Sequence, residues 1–212
     1  ITYSPCFRSN YPPFADLSTM RGKGFHELNA EEHMRKLAHE EIKRVDPSEI
    51  SSIERHPVCV LLENIRSAHN VGAILRSADG ALASEVILGG ITPDGNHKGV
   101  NKSALGAQEF VPWRTCADAV SAVRSLKTKG FTVAALELTD TPTTSGDLAS
   151  KDFPLCLVVG NEVTGISDDL LAECDLALEI PQFGAKQSLN VSVALGIALF
   201  DVVRHYRSLA AL

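Results

Sequence analysis

Two stretches of this chain, Val58 to Leu62 and Leu155 to Val159, are apolar at every position. A strand with one wet face alternates apolar and polar side chains, so a run with no polar position has to be covered on both faces. Shorter strand-like runs lie at Glu85 to Leu88, Phe131 to Leu136 and Leu176 to Ile180. Phe110 to Trp113 reads as one more short strand, and its Pro112 suits a sheet edge. Helical patterns separate these runs: Asn70 to Leu82, Cys116 to Lys129, Ser167 to Glu173 capped by Ser167, and Asn190 to Tyr206. Such alternation predicts an α/β domain over residues 57–212, a parallel sheet with helices on both faces. Ligands of such sheets sit beyond the carboxyl ends of the strands. Chemistry is therefore to be sought just after Leu62, Leu136, Val159 and Ile180.

Residues 1–56 read differently. Pro5, Pro12, Pro13 and the glycines flanking Lys23 give an extended arm. Asn29, with Glu32 at the capping-box position, starts a short helix that carries Met34, Leu37, Ile42 and Val45 and stops at Pro47. At the other end, the final helix has apolar residues in nearly every direction, from Val191 through Val203, and so needs a burial partner besides the sheet.

Composition narrows the function classes. The net charge of −6 excludes indiscriminate nucleic-acid binding, which rests on Lys and Arg, and leaves room for a local basic site. No apolar run reaches the roughly 18 to 20 residues of a membrane helix, and residues 1–13 do not resemble a signal peptide. The five cysteines, Cys6, Cys59, Cys116, Cys156 and Cys174, are odd in number and lack CxxC spacing. They read as reduced thiols in a cytoplasmic protein. The histidines show no metal-ligand spacing, so no metal site is expected.

Three segments follow the strand ends. The first, Glu63 to Arg76, is a polar loop running into a helix, with Asn70 as a candidate N-cap and Arg76 about two turns in; on its own, Arg76 also fits a surface ion pair with Asp79. The second, Val159-Gly160-Asn161-Glu162-Val163-Thr164-Gly165-Ile166-Ser167, brackets a carboxylate between two glycines. It lacks the Gly-Lys-Ser/Thr ending of a phosphate loop, and the chain has no GxGxxG. The third, Ile180 to Ala194, contains Gln187-Ser188-Leu189-Asn190-Val191-Ser192-Val193-Ala194, in which Ser188 and Asn190 are natural caps.

In order and spacing the three segments resemble the motifs of the SpoU (TrmH-like) family of SPOUT RNA 2′-O-ribose methyltransferases, over about residues 57 to 207. The resemblance implies a C-terminal deep trefoil knot, which composition could not suggest because knots are rare. It implies S-adenosylmethionine as cofactor, held largely by backbone groups at Leu136, Gly160, Ile180 and Leu189, and a homodimer. The reaction implied is transfer of the methyl group to a ribose 2′-hydroxyl, guanosine in tRNA being the first expectation, without a metal. Arg76 and Asn70 are the implied catalytic residues, with Glu162, Ser188 and Asn190 orienting the ribose or the loops. A guanidinium gives up its proton reluctantly, so Arg76 reads either as the proton acceptor or as a cation that stabilises the developing alkoxide.

The sequence departs at Ala68 from the tRNA guanosine-2′-O-methyltransferase branch of that family, which it resembles most, where a proline often precedes His-Asn. Lys98, Lys102 and Arg114, with Arg8, Arg21 and Lys23 of the arm, are candidate phosphate contacts. The alternatives are the same chemistry on rRNA, a methyltransferase of this fold with another acceptor, a catalytically silent RNA-binding protein, and an ordinary nucleotide-binding α/β protein. Retention of Asn70, Arg76, Glu162, Ser188 and Asn190 together speaks against silence, and the missing phosphate loop against the last.

Overall fold

The computed structural model describes residues 35–41, 49–186 and 188–211. The chain divides into one unit ending at Arg44 and another from Val45 to Leu212. In the first unit, residues 35–38 are irregular and His39–Glu41 form a single 3-10 turn, with Arg35 paired to Glu41 at 2.7 Å. The helix expected from Asn29 to Pro47 is absent over those residues. The rest of that helix, and the arm before it, lie outside the described residues.

The second unit is an α/β domain. Its strands are β1 (Val58–Glu63), β2 (Val86–Gly89), β3 (Trp113–Cys116), β4 (Thr132–Leu136), β5 (Pro142–Thr143), β6 (Leu155–Val159) and β7 (Leu176–Leu178). Its helices are α1 (Ala68–Gly80), α2 (Lys98–Ala104), α3 (Ala119–Thr128), α4 (Asp168–Leu171) and α5 (Val191–Leu209). One seven-stranded sheet runs β3-β2-β1-β6-β4-β7-β5, and every pairing is parallel. The two wholly apolar runs, β1 and β6, are central neighbours, in register from Val58 opposite Leu155 to Leu62 opposite Val159.

Alternate residues of these strands feed two cores. Val58, Val60, Leu62, Leu155, Leu157 and Val159 meet α1, α2 and α5 on one face. Cys59, Leu61, Cys156 and Val158 meet α3 and α4 on the other. Both faces are thus covered, which is why neither strand contains a polar side chain before its last residue.

Several expected boundaries move for local reasons. Ser67, not Asn70, caps α1, its Oγ accepting from Asn70 N at 3.3 Å, so the helix begins two residues early at Ala68. The proline departure falls on this first helical residue, where alanine serves as well. Asp118 caps α3 by accepting from Val120 N and Ser121 N, which moves that start from Cys116 to Ala119. The expected strand at Phe110 shifts to Trp113–Cys116, because Ala107–Glu109 form a 3-10 turn that ends at Phe110. The helix α2 was not foreseen: it is one short turn-rich segment, His97 Nδ1 caps it by accepting from Gly99 N at 3.0 Å, and it carries only two buried residues, Val100 and Ala104. It packs on α1 at Gly72, where a Cβ would overlap Ser103 and the Val100 carbonyl.

α5 buries Leu195, Ala198, Leu199, Val202 and Val203 against the sheet. Its other apolar residues, Val193, Ile197 and Phe200, stand on a separate stripe and are 41–50% exposed.

Candidate active site at the strand ends

β1, β4, β6 and β7 all end at the same edge of the sheet, and the loops after β1, β6 and β7 interlock there. Glu63, the last residue of β1, is buried, and its carboxylate accepts from Ser167 N at 2.8 Å and Ser167 Oγ at 2.6 Å. The same Ser167 Oγ accepts from Leu170 N at 3.4 Å as the cap of α4. The loop after β6 is therefore tied to the end of β1 at its base.

That loop closes on itself. Asn161 N donates to Gly165 O at 3.0 Å and Gly165 N to Asn161 O at 2.9 Å. Asn161 Nδ2 reaches across to the Asn64 carbonyl at 2.8 Å, and its Oδ1 accepts from Val163 N. Gly165 has φ +71°, a left-handed conformation natural to glycine. A Cβ on Gly160 would overlap the Gly165 carbonyl and Ile166 N. The absence of a side chain at Gly160 is thus demanded first by the loop's own backbone.

A polar clasp joins all three motif segments. Glu162 Oε1 accepts from Ser67 N at 3.0 Å and Asn70 Nδ2 at 2.9 Å, and its Oε2 accepts from Arg66 N at 3.0 Å. Asn70 Oδ1 then accepts from Asn190 Nδ2 at 3.1 Å. Asn190 caps α5, its Oδ1 accepting from Ser192 N at 2.9 Å and Val193 N at 3.4 Å. Partial burial raises the Glu162 carboxyl, but the Arg66 N–H, the Asn70 amide and the Ser67 N–H together hold it below its ordinary range. It is an ionised acceptor anchoring the start of α1.

Beside the clasp lies a cavity of about 490 Å³, lined from the ends of β4, β6 and β7 and the start of α5. Leu136, Gly160, Ile180 and Leu189, the positions implied for the cofactor, all line it, as do Glu162, Ser188 and Asn190. Asn70 touches the cavity only through Glu162 and Asn190. Arg76 is outside the lining: it is six residues beyond Asn70 on α1, turned roughly 120° away around the helix. It is exposed and makes no ion pair among the described residues, so the expected partner Asp79 does not hold it.

Asn161 and Glu63, which fasten the loops, were not singled out from the sequence; a polar residue ending a wholly apolar strand was the available signal for Glu63. Glu137 was missed as well. It lines the cavity while its carboxylate accepts from Ile166 N at 3.2 Å and Leu138 N at 3.0 Å. The lining thus holds three carboxylates, Glu137, Glu162 and Glu179, and among the described residues no Lys, Arg or His. Leu136, Leu178, Ile180, Leu189 and Val191 supply its apolar surface. Such a cavity suits a ligand with an apolar body and positive charge, and repels phosphate. No group of three or more His, Cys, Asp or Glu able to hold a metal occurs among the described residues, and no described helix is long and apolar enough to cross a membrane.

An all-parallel α/β domain, with a small-molecule cavity at its strand ends and a clasp of Asn, Glu and Asn around it, is the class that fold and site define. The profile of the SpoU rRNA Methylase family matches residues 57–200, and the chain belongs to that family. It is 40% identical over 155 residues to a 23S rRNA (guanosine-2′-O-)-methyltransferase RlmB of Burkholderia sp, covering 73% of this chain and 62% of that protein. It is 35% identical over 168 residues to a tRNA (guanosine(18)-2′-O)-methyltransferase of Thermus thermophilus, covering 77% of this chain and 83% of that one. Among solved structures, an AdoMet-bound rRNA methyltransferase from Sinorhizobium meliloti superposes with a TM-score of 0.66 at 31% identity, over 77% of this chain and 62% of its own. The chain therefore spans under two thirds of the Burkholderia relative it matches.

Proposed function

We propose that this chain is an RNA methyltransferase that moves a methyl group from S-adenosylmethionine to a ribose 2′-hydroxyl, guanosine in tRNA or rRNA being the substrate that its relatives' names support. The observation that carries the reading is the anionic, phosphate-excluding cavity at the strand ends, clasped by Asn70, Glu162 and Asn190. When bound, the cofactor supplies a methyl group on a positively charged sulfur, which the 2′-oxygen displaces as a neutral thioether. Leu136, Gly160, Ile180 and Leu189 would hold its nucleoside and Glu137, Glu162 and Glu179 favour its positive charge. Ser188 and Asn190, at the mouth of α5, orient the ribose. Glu162 and Asn70 act mainly by positioning, since their polar atoms are engaged with each other and with the start of α1. Such orientation can be worth several kcal/mol, up to about 7–11 in favourable cases.

Arg76 acts on the 2′-hydroxyl either by accepting the proton it loses or, with water taking that proton, as a cation that stabilises the developing alkoxide. Its own chain holds it away from the cavity, and this favours a homodimer. Val193, Ile197 and Phe200 leave an apolar stripe on α5 uncovered, and Phe200 lies over Gly80 of α1. A second copy seated on that stripe would meet the Arg76 helix as well. The reading also includes the trefoil knot, supported by β6 lying between β1 and β4, and β7 between β4 and β5, so that late strands enter among earlier ones. It takes 57–212 as the methyltransferase domain, 1–56 as an appended N-terminal segment, and the cytoplasm as the location, supported by free thiols at Cys59, Cys116, Cys156 and Cys174.

The test is incubation with methyl-labelled S-adenosylmethionine and total tRNA or rRNA, followed by digestion to nucleosides. Label in a 2′-O-methylated nucleoside is expected; label in a base, or none, refutes the assignment.

A further inference from the structure

The cavity carries three carboxylates, yet the proposed substrate is a polyanion. Its phosphates must be held by cations outside the cavity, on a chain whose net charge is −6. Ion pairs engage Arg35, Arg114, Arg124, Lys127 and Arg204 with carboxylates. Arg114, one of the phosphate contacts expected from the sequence, has part of its charge offset by Glu85, which accepts from its Nε at 3.0 Å.

Among the described residues in no ion pair, Arg66, Arg76, Lys98 and Lys102 lie on α1, α2 and the loop before α1, while Lys129, Lys151, Lys186 and Arg207 lie on other segments. Arg66 ends the loop that leads into α1, and its backbone N–H is bound to Glu162, so its exposed side chain stands at the clasp. His69 and Arg76, seven residues apart and both exposed, share the outer face of α1. Lys98 and Lys102, four apart and both exposed, share the outer face of α2. The two helices lie side by side on the same face of the sheet: Gly72 of α1 abuts Val100 and Ser103 of α2, and a Cβ on Gly99 would come within 2.9 Å of Ala68. His97, whose Nδ1 accepts from Gly99 N, is left with its proton on Nε2, a further donor at that corner.

The carboxylates of these segments do not cancel the surface. Asp79 is partly buried, and burial raises its pKa while Arg55 opposes. Asp94 accepts from Asn96 N at 2.9 Å, and Glu109 sits on the turn after α2. None forms an ion pair with Arg66, Arg76, Lys98 or Lys102 among the described residues.

We infer that the outer face of α1 and α2, through Arg66, His69, Lys98 and Lys102, is a phosphate-binding track that carries the RNA backbone past the cavity mouth. The inference rests on the methyltransferase reading. It adds the side of the domain from which the RNA approaches, and it makes the unforeseen helix α2 a substrate-binding element. Cations beside an anionic hole attract the phosphates on either side of a ribose to the rim, while the carboxylates of the cavity repel them from its interior.

The test is binding of fluorescently labelled bulk tRNA and of fragmented rRNA, at a series of salt concentrations, to the wild type and to the triple variant Arg66→Ala, Lys98→Ala, Lys102→Ala. Lys129→Ala, an exposed cation at the C-cap of α3 at the opposite face, is the control. Each phosphate contact contributes about 0.7–0.9 to the slope of log affinity against log salt, so the triple variant should lose about 2 of slope and at least tenfold in affinity. Its S-adenosylmethionine affinity should be unchanged by calorimetry, and saturating RNA should restore its single-turnover rate. A triple variant with the wild-type slope and affinity overturns the track and leaves the methyltransferase reading standing. A wild-type chain that neither binds nor methylates either RNA overturns both.

Discussion

Replacing Gly160 by alanine adds one methyl group where there is no room. The new Cβ overlaps the Gly165 carbonyl and Ile166 N, which are backbone atoms and cannot rotate aside. The loop has to open. Opening breaks or lengthens the paired bonds between Asn161 and Gly165, at 3.0 and 2.9 Å, and the bond from Ile166 N to Glu137 at 3.2 Å. Three hydrogen bonds among part-buried groups, at about 0.5–1.5 kcal/mol net each, make the cost about 2–4 kcal/mol. For a unit of this size that lowers Tm by about 4–16 °C. Displacement of the loop also pulls Glu162 off Arg66 N and Ser67 N, so S-adenosylmethionine affinity falls with stability. The assay pairs thermal unfolding with calorimetric titration of the cofactor. Gly184→Ala is the control, because a Cβ there has nothing within 4 Å and its stability should stay within about 0.5 kcal/mol of wild type. A Gly160→Ala protein that melts with the wild type would refute the steric argument. One that melts low yet binds cofactor normally would show that the loop does not shape the cavity.

Arg76→Ala should lower single-turnover methylation about 10²–10³-fold while cofactor affinity stays unchanged, and normal turnover would remove Arg76 from the mechanism. Substantial recovery in Arg76→Lys identifies its charge as the operative property, and little recovery its planar geometry. The depressed pKa of Glu162 makes the clasp fully stabilising above the ordinary carboxylate value of about 4.3, with the contribution lost as pH falls through the lower folded value. Glu162→Gln should flatten that acid-side loss in urea unfolding midpoints, and an identical pH profile would show that Glu162 is not the anchor. Ile197→Glu places a charge on the uncovered stripe of α5 and should convert a dimer to a monomer by light scattering; a dimeric variant, or a monomeric wild type at micromolar concentration, counts against that interface.

The all-apolar runs at Val58 and Leu155 declared strands covered on both faces, since no helix or wet strand explains such a pattern, and they became the central pair of the sheet. The caps at Ser167 and Asn190 were equally readable, because a cap acts on backbone only two or three residues away. The three motif segments also named Asn70, Glu162 and Asn190, but capping by Asn70 was the wrong local reading: Ser67 does that work, and Asn70 is free to bridge Glu162 and Asn190, 92 and 120 residues away. Contacts over such separations leave no periodicity in a sequence. Tertiary structure alone also decided that Gly160 is constrained by Gly165, that Arg76 lies outside its own chain's cavity, and that α2 forms from a segment with two buried residues. Local pattern fixes what each segment can be; which polar groups meet depends on where the sheet order β3-β2-β1-β6-β4-β7-β5 brings the strand ends together.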